Sequence, residues 1–212
     1  MNVKPFNVAK LKVRAKTGYL NVIKVLPGQI VTEKLTVVPK VIKSSSGDSG
    51  EVVSDLERDI LKVVVVERHK KTGNIGIGFV SGFGFKKGAI ASSVAHDAHN
   101  IIAVGTNDLD IYLAIKEIIR LRGGLVAVSN GKTKASLELP IAGLMSNEPC
   151  KVVAEKLENL INICKAWQCK LENPFITLSF LALPVIPTLK ITDYGLIDVS
   201  SFHVVDLFTT ES

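Results

Sequence analysis

Residues 90–105, I-A-S-S-V-A-H-D-A-H-N-I-I-A-V-G, place a group of polar side chains between two apolar runs, and the rest of the chain is arranged to present them. Short apolar runs separated by polar residues predict strands, here over residues 89–94 and 100–104. The nine residues between Ser92 and Asn100 hold two of the four histidines, an aspartate, an asparagine and two serines. Polar side chains at strand ends can converge on a ligand, so this loop is the candidate functional site.

The chemistry of this loop has two interpretations. His96, Asp97 and His99 can donate to, accept from or exchange a proton with a small polar substrate near neutral pH, which makes them candidate catalytic residues. Alternatively, Ser92, His96, Asp97 and Asn100 merely satisfy backbone groups at a turn, as short polar side chains often do. The residues alone leave both interpretations open.

The composition indicates a globular, sheet-rich domain and argues against several classes of function. Of the 212 residues, 47% are apolar and 22% charged, and the net charge is +6. The basic residues are dispersed and are not interleaved with aromatics, so a nucleic-acid surface is not indicated. The chain shows neither a signal-like apolar start nor a run long enough to span a bilayer, so we expect a cytoplasmic protein without a membrane partner. The spacing of Cys150, Cys164 and Cys169 matches no zinc template and predicts free thiols.

The composition along the chain predicts three segments: a β segment, a linker and a main domain. Residues 1–45 predict a short β segment, and the polar residues that follow place a linker at 46–58. Residues 59–212 form the main domain. It begins with the apolar run 60–66, I-L-K-V-V-V-V, which is typical of a strand buried on both faces. Glu67, Arg68 and His69 follow this run, and we expect them to be a solvated strand terminus rather than partners of the loop.

Local signals predict the remaining elements. Asn107 starts an amphipathic helix that ends at Gly123, a second helix opens at residues 146–149, and Asn130-Gly131 predicts a β-hairpin. The apolar residues 174–184 predict either a buried strand or a helical turn. Eight to ten strands with two good helices predict an α+β fold, in which a mixed β-sheet carries two main helices on one face and is preceded by the short β segment.

The glycines of residues 75–85, I-G-I-G-F-V-S-G-F-G-F, do not predict a dinucleotide site. That fingerprint requires a helix opening within it, and Lys86-Lys87-Gly88 predicts a turn instead. Glycine within a strand more often marks a bulge or the close approach of another backbone.

Several long motifs resemble the C-terminal region of adenine deaminase. They are V-E-R-H at 66–69, G-N-I-G-I-G-F-V-S-G-F-G at 73–84, G-A-I-A-S-S-V-A-H-D-A-H-N at 88–100, V-G-T-N-D at 104–108, P-I-A-G-L-M-S at 140–146 and F-I-T-L-S-F-L-A-L-P-V-I-P at 175–187. The earlier P-G-Q-I-V-T-E at 27–33 resembles the small β-domain that flanks the barrel in that family. The resemblance covers residues 19 to 208.

The resemblance implies a metal-dependent amidohydrolase whose metal lies elsewhere. The family's barrel begins with a His-x-His strand, whereas His96 and His99 are separated by two residues. No metal or other cofactor is therefore expected in this chain, although a divalent metal, manganese or iron, is implied for the full enzyme. The chain is expected to be a fragment, one subunit of a split enzyme or a standalone relative.

The resemblance also implies a reaction and partners. Adenine and water would give hypoxanthine and ammonia, with the loop closing over a site held by a separate barrel portion. His96 or His99 would hydrogen-bond the purine and Asp97 would orient a histidine, while Ser92, Ser93 and Asn100 would bind substrate. The expected partners are the barrel portion, adenine and further copies of the chain. The alternative is a non-catalytic purine-binding or oligomerisation domain.

Overall fold

A nine-stranded mixed sheet forms the centre of the computed structural model, which describes residues 1–43 and 50–210. The predicted α+β class with a mixed sheet and two main helices is confirmed. In chain order the elements are a short 3-10 helix (Val8–Leu11), β1 (Val13–Arg14), β2 (Tyr19–Val25), β3 (Thr32–Val37), β4 (Val41–Ile42), β5 (Glu51–Val52), β6 (Ile60–Val66), β7 (Ile75–Ser81), β8 (Ala89–Ser92), β9 (Ile101–Gly105), α1 (Asp108–Leu121), β10 (Gly124–Ser129), β11 (Lys132–Glu138), α2 (Cys150–Ala166), α3 (Pro174–Leu181), β12 (Leu189–Thr192), β13 (Gly195–Asp198), β14 (His203–Val205) and β15 (Phe208–Thr209).

The large sheet has the order β11-β10-β8-β9-β6-β7-β2-β15, and β3 pairs with β2. The β2–β7 pair is parallel, whereas β6 pairs antiparallel with both β7 and β9. Every residue of β6 is buried, as the apolar run predicted. Two smaller three-stranded sheets, β1-β5-β4 and β12-β13-β14, accompany the large one in the described residues.

The helices cover both faces of the sheet, so the expectation that they share one face is wrong. Alternate side chains of a strand point to opposite faces. Val64 and Val66 pack with the apolar face of α1, whereas Val63 and Val65 belong to the cluster that contains α2 and α3. Because β6 is apolar on both faces, covering only one would leave the valines of the other in water.

Local capping chemistry explains the helix boundaries. Asn107 Oδ1 accepts a hydrogen bond of 2.8 Å from the Asp110 amide and caps α1, and Arg122 ends the helix in the left-handed region. The residues 174–181 form the helix α3 rather than a strand, and the Asn173 side chain caps it by accepting from the Ile176 amide at 3.1 Å. α3 packs beside β8 and β9, which places it next to the candidate loop.

Gly76, Gly82 and Gly84 of the 75–85 run each lie against another backbone, as predicted, and Gly76 does so most closely. A Cβ atom at Gly76 would lie 1.9 Å from the Thr192 carbonyl oxygen, so β12 can approach β7 there only because the residue is glycine. This contact seats the small β12-β13-β14 sheet against the large one.

The division into a β segment (1–45), a linker (46–58) and a main domain (59–212) stays a prediction. Residues 46–49 of the predicted linker lie outside the described residues, and Glu51–Val52 beyond them forms β5. The pairing of β2 with β7 joins the first and last of these ranges in one sheet. Among the helices of residues 1–43 and 50–210, none combines the length and apolar character that crossing a bilayer requires.

Candidate functional site

The polar loop, residues 93–100, connects the paired strands β8 and β9. Ser92 lies opposite Ile102 in this antiparallel pair, so both ends of the loop are anchored in the sheet. The backbone amide of His96 donates a hydrogen bond of 3.1 Å to the carbonyl oxygen of Ser179 in α3. The loop is therefore supported by the sheet on one side and by α3 on the other.

The two serines are buried and hydrogen-bonded to backbone groups. Ser93 Oγ donates to the Gly143 carbonyl at 2.6 Å and accepts from the Gly124 amide at 2.8 Å. Ser92 Oγ accepts from the Val94 amide at 2.9 Å, which is the local turn bond of the alternative interpretation. Both hydroxyl groups have protein partners here, and their predicted contact with substrate stays a prediction.

Asn100 links the end of the loop to two other segments. Its Oδ1 accepts a hydrogen bond of 3.3 Å from the Arg68 amide, and its Nδ2 donates to Asp193 Oδ1 at 3.1 Å. The second oxygen of Asp193 accepts from Asn74 Nδ2 at 3.1 Å. These bonds tie the start of β9 to the turn between β12 and β13.

Arg68 and Glu67 belong to the support of the loop, so the expectation of a solvated strand terminus is wrong for them. Both residues are less than a tenth exposed. Arg68 Nε donates to the His99 carbonyl, and Nη2 donates to the Ala142 carbonyl at 3.0 Å. Burial lowers the pKa of Arg68, although a guanidinium stays charged at neutral pH. Sequence reasoning missed these contacts because the partners are distant in the chain.

The Glu67 carboxylate organises the turn that follows β6. Burial alone would raise its pKa, but hydrogen bonds from the backbone amides of Lys70, Thr72 and His69 lower that pKa to about 2. A carboxylate that accepts several amide hydrogens is strongly favoured in its charged form. His69 lies in this turn, and its Nε2 is 2.7 Å from the carbonyl oxygen of Ala98 in the loop.

His96, Asp97 and His99 are the members of the cluster that reach the surface. The rings of His96 and His99 have centroids 5.7 Å apart, and His96 packs on Phe180 of α3 with centroids 4.9 Å apart. Asp97 is exposed, and the two histidines are half-buried. The three predicted catalytic residues thus lie close together in one loop, but Asp97 lines the cavity beside the loop whereas neither histidine does.

The surroundings of His99 favour its neutral form. Burial lowers its pKa, and electrostatic interactions with His96 and Arg68 lower it further, against the opposing effect of Asp97. Its Nδ1 accepts a hydrogen bond of 3.3 Å from the Ala95 amide. A neutral imidazole that accepts at Nδ1 carries its proton on Nε2, so His99 can offer a hydrogen-bond donor at neutral pH.

A cavity of about 550 Å³ lies beside the loop. Apolar side chains form most of its wall, and Asp97, Asn100 and Asp193 provide polar groups. The full lining is Val65, Ala95, Asp97, Ala98, Asn100, Ala182, Leu183, Pro184, Val185, Thr192, Asp193, Tyr194, Ile197, Phe202 and Val204. Its size and its few polar groups are typical of a small-molecule site.

The residues that the structure describes do not form a ligand set for the divalent metal implied for the family. Within residues 1–43 and 50–210, no group of three or more His, Cys, Asp or Glu side chains is arranged to hold a metal ion. The carboxylate of Asp193, the acidic residue nearest the loop's end, is already bonded to Asn74 and Asn100. No catalytic step is therefore assigned to a metal held by this chain.

The fold and the loop define an α+β domain that presents two imidazoles and a carboxylate on the connection between β8 and β9. Residues 29–203 match the family described as "Adenine deaminase C-terminal domain", and the chain belongs to that family.

Several curated relatives are similar in sequence to this chain. Adenine deaminase of Dehalococcoides mccartyi is 50% identical over 206 residues, which cover 97% of this chain and 35% of that protein. Adenine deaminase of Desulfatibacillum aliphaticivorans is 52% identical over 198 residues, covering 92% of this chain and 33% of the relative. Adenine deaminase of Methanothrix thermoacetophila is 50% identical over 209 residues, covering 98% and 36%. The chain thus spans about a third of the length of the curated relatives it matches.

Proposed function

We propose that this chain acts as the C-terminal part of an adenine deaminase, in which adenine and water give hypoxanthine and ammonia during purine salvage. The observation that carries the proposal is the family match over residues 29–203, together with relatives of that name across almost the whole chain. In this proposal the divalent metal, manganese or iron, belongs to a separate barrel portion that is the chain's partner. The cysteines of the described residues are free, which suits a cytoplasmic enzyme.

The proposed contribution of this chain is a substrate-side loop. His99, neutral with its proton on Nε2, would donate a hydrogen bond to a purine ring nitrogen, and Asp97 would orient His96 or accept from the substrate. Direct substrate contact by Ser92, Ser93 or Asn100 would require their present partners to be exchanged. Their role in the proposal is therefore first to hold the loop in place, which preorganises the exposed groups.

The direct test joins this chain to a barrel. A chimaeric protein would carry this chain in place of the matched C-terminal region of the Dehalococcoides mccartyi relative, and ammonia release from adenine would be measured. We expect His99→Ala and Asp97→Asn to lower kcat/KM by roughly tenfold to a hundredfold, because losing one hydrogen bond and leaving its partner unsatisfied costs about 1–3 kcal/mol. Glu158→Ala is the control, because Glu158 is exposed on α2 and lies outside both the loop and the cavity beside it.

Two results would contradict the proposal. A chimaera that releases no ammonia would remove the chain from the deaminase reaction. Full activity in both loop variants would keep the reaction but remove the loop from it.

A second candidate function, purine binding without catalysis, is favoured by the cavity of about 550 Å³ with its apolar wall and its polar groups at Asp97 and Asn100. Calorimetry of the isolated chain with adenine and with hypoxanthine tests it, and an absence of binding heat for both would exclude it. Oligomerisation, the remaining alternative, is tested by sedimentation of the isolated chain over a range of concentrations.

A further inference from the structure

Four large apolar side chains around the cavity beside the loop are unusually exposed. Tyr194 and Phe202 are each 71% exposed, Val185 is 61% exposed and Val204 is 58% exposed. All four line the same cavity. We call them the apolar rim.

The rim is assembled from separate parts of the chain. Val185 follows α3, and Tyr194 lies in the turn between β12 and β13. Phe202 directly precedes β14 and Val204 lies within it. Single exposed apolar side chains are ordinary on a protein surface, but a contiguous group rimmed by polar residues marks an interaction site. Aromatic side chains are also the residues that most often carry binding energy in interfaces. The rim therefore has the character of a surface that another polypeptide covers.

The rim is continuous with the candidate functional loop. Asp97 and Ala98 belong to the loop and also line the cavity. A polypeptide seated on the rim would therefore also cover the exposed carboxylate of Asp97. This continuity connects the rim to the part of the enzyme that the loop is proposed to face.

The charges around the rim distinguish between two possible occupants, a second copy of this chain and a different polypeptide. Asp97 and Asp193 are the charged residues of the cavity lining in the described part of the chain. In a symmetric dimer each patch meets its own copy, so the exposed Asp97 carboxylates of two copies would be brought toward one apolar contact. Like charges placed together in an interface are unfavourable, whereas a partner with basic or hydrogen-bond-donating groups is favoured.

The relatives supply a partner of sufficient size. Because this chain covers 35% of the Dehalococcoides mccartyi protein, about two-thirds of that relative is polypeptide outside the matched region. We propose that the apolar rim of Val185, Tyr194, Phe202 and Val204 is the surface on which this remaining, barrel-bearing part of the deaminase docks, closing the cavity over Asp97. The inference rests on the proposed function, because it requires that the chain operates as part of a deaminase.

Hydrogen exchange of the chimaera described above, compared with the isolated chain, tests the docking surface. We expect the amides of residues 194–205 and 96–100 to exchange roughly tenfold or more slowly in the chimaera, because docking suppresses local opening. The exposed hairpin turn at residues 130–134 should exchange at the same rate in both proteins. Unchanged exchange at 194–205, or slowing confined to 130–134, would overturn the inference.

Variants separate docking from folding. Tyr194→Ser combined with Phe202→Ser should abolish the slowing at residues 96–100 in the chimaera, while the melting temperature of the isolated chain is kept because both side chains are exposed. Val38→Ser combined with Leu109→Ser is the control, since these side chains are also exposed, at 61% and 53%, but lie outside the rim and the loop's support. Slowing that persists in the rim variant would overturn the inference.

Two further readouts separate this inference from the proposed function and from self-association. Ammonia release without slowed exchange at the rim would overturn the docking surface alone, whereas slowed exchange without ammonia release would support the surface and contradict the deaminase proposal. Slowing at the rim that grows with the concentration of the isolated chain would identify a second copy as the occupant and would overturn the inference.

Discussion

Replacing Lys190 by methionine is expected to stabilise this protein at neutral pH. Lys190 lies in β12 and is fully buried, and its Nζ donates a hydrogen bond of 2.7 Å to the Ile30 carbonyl. No ion pair joins it to a carboxylate within residues 1–43 and 50–210. Lys62, also buried, instead contacts Asp108 at 2.5 Å. A buried ammonium with only a carbonyl partner costs free energy, because it loses most of its hydration.

The size of the expected change in the free energy of unfolding follows from the pKa of Lys190. Burial lowers the pKa of Lys190 from 10.5 to about 8, a difference that corresponds to about 3 kcal/mol against the charged form at pH 7. Methionine keeps most of the apolar stem but removes the hydrogen bond to Ile30, which costs about 1 kcal/mol. The net expectation for Lys190→Met is an increase of about 1–2 kcal/mol in the free energy of unfolding at pH 7.

The pH dependence gives a second, independent signature. Between about pH 8 and pH 10.5 the unfolded chain holds the Lys190 proton and the folded chain releases it, so this residue makes the wild-type protein more stable as the pH rises. Below about pH 8 both states are protonated and the full penalty is present. The advantage of Lys190→Met should therefore be largest at pH 7 and should shrink toward pH 10.

Urea unfolding followed by the fluorescence of Trp167 measures both effects, because Trp167 is the single tryptophan and is buried. The control is Lys116→Met on the exposed side of α1, which should change the free energy of unfolding by less than about 0.5 kcal/mol. A Lys190→Met protein that is less stable than the wild type at pH 7 would refute the reasoning. An advantage that is the same at pH 7 and pH 10 would refute the assignment to the ammonium charge.

Two further substitutions test the support of the loop, and a labelling experiment tests the reactivity of the thiols. Glu67→Gln should lower the free energy of unfolding at pH 7 by about 1–3 kcal/mol. Acid unfolding should show that the wild type loses this advantage as the pH falls from about 4.5 to about 2, where the Glu67 carboxylate becomes protonated. Stability curves of wild type and variant that stay parallel over this pH range would contradict the prediction. Ser93→Ala should cost about 1–3 kcal/mol in urea unfolding, because it leaves two buried backbone groups without their partner, and an unchanged midpoint would contradict it. Exposed Cys150 should react with a thiol reagent in the folded protein, whereas buried Cys164, whose pKa is raised by burial, should react only after unfolding, as mass spectrometry of the labelled peptides would reveal.

Local chemistry made part of the fold predictable from the sequence. The start of α1 follows from the Asn107 cap, and the β10–β11 hairpin follows from Asn130-Gly131, whose backbones both adopt positive φ. These signals act between residues a few positions apart. The burial of Val63–Val66 on both faces was predictable for the same reason, because the unbroken apolar run is itself the signal.

Contacts between distant residues were not predictable in this way. The same buried run already required cover on both faces of the sheet, but nothing local indicates which helix packs on which face. Arg68 reaches His99, 31 positions away, and Ala142, 74 positions away, so its charge gave no sign of a buried role. In the loop, the grouping of His96, Asp97 and His99 was predictable from spacing, whereas the cavity beside them combines residues from β6 to β14.

Burying polar groups beneath the loop costs free energy, which indicates that the conformation of the loop is itself needed. An antiparallel pair of strands can be joined by a two-residue turn, yet β8 and β9 are joined by eight residues anchored by buried Ser93, Arg68 and Asn100. Each buried polar group stabilises the fold only while all its partners are in place, so such a network specifies one conformation at the expense of tolerance to change. The side chains that this conformation leaves outward are two imidazoles and a carboxylate. A connection needed only to join two strands would not require that support, whereas the substrate-side loop proposed above would require it to hold its outward groups in one geometry.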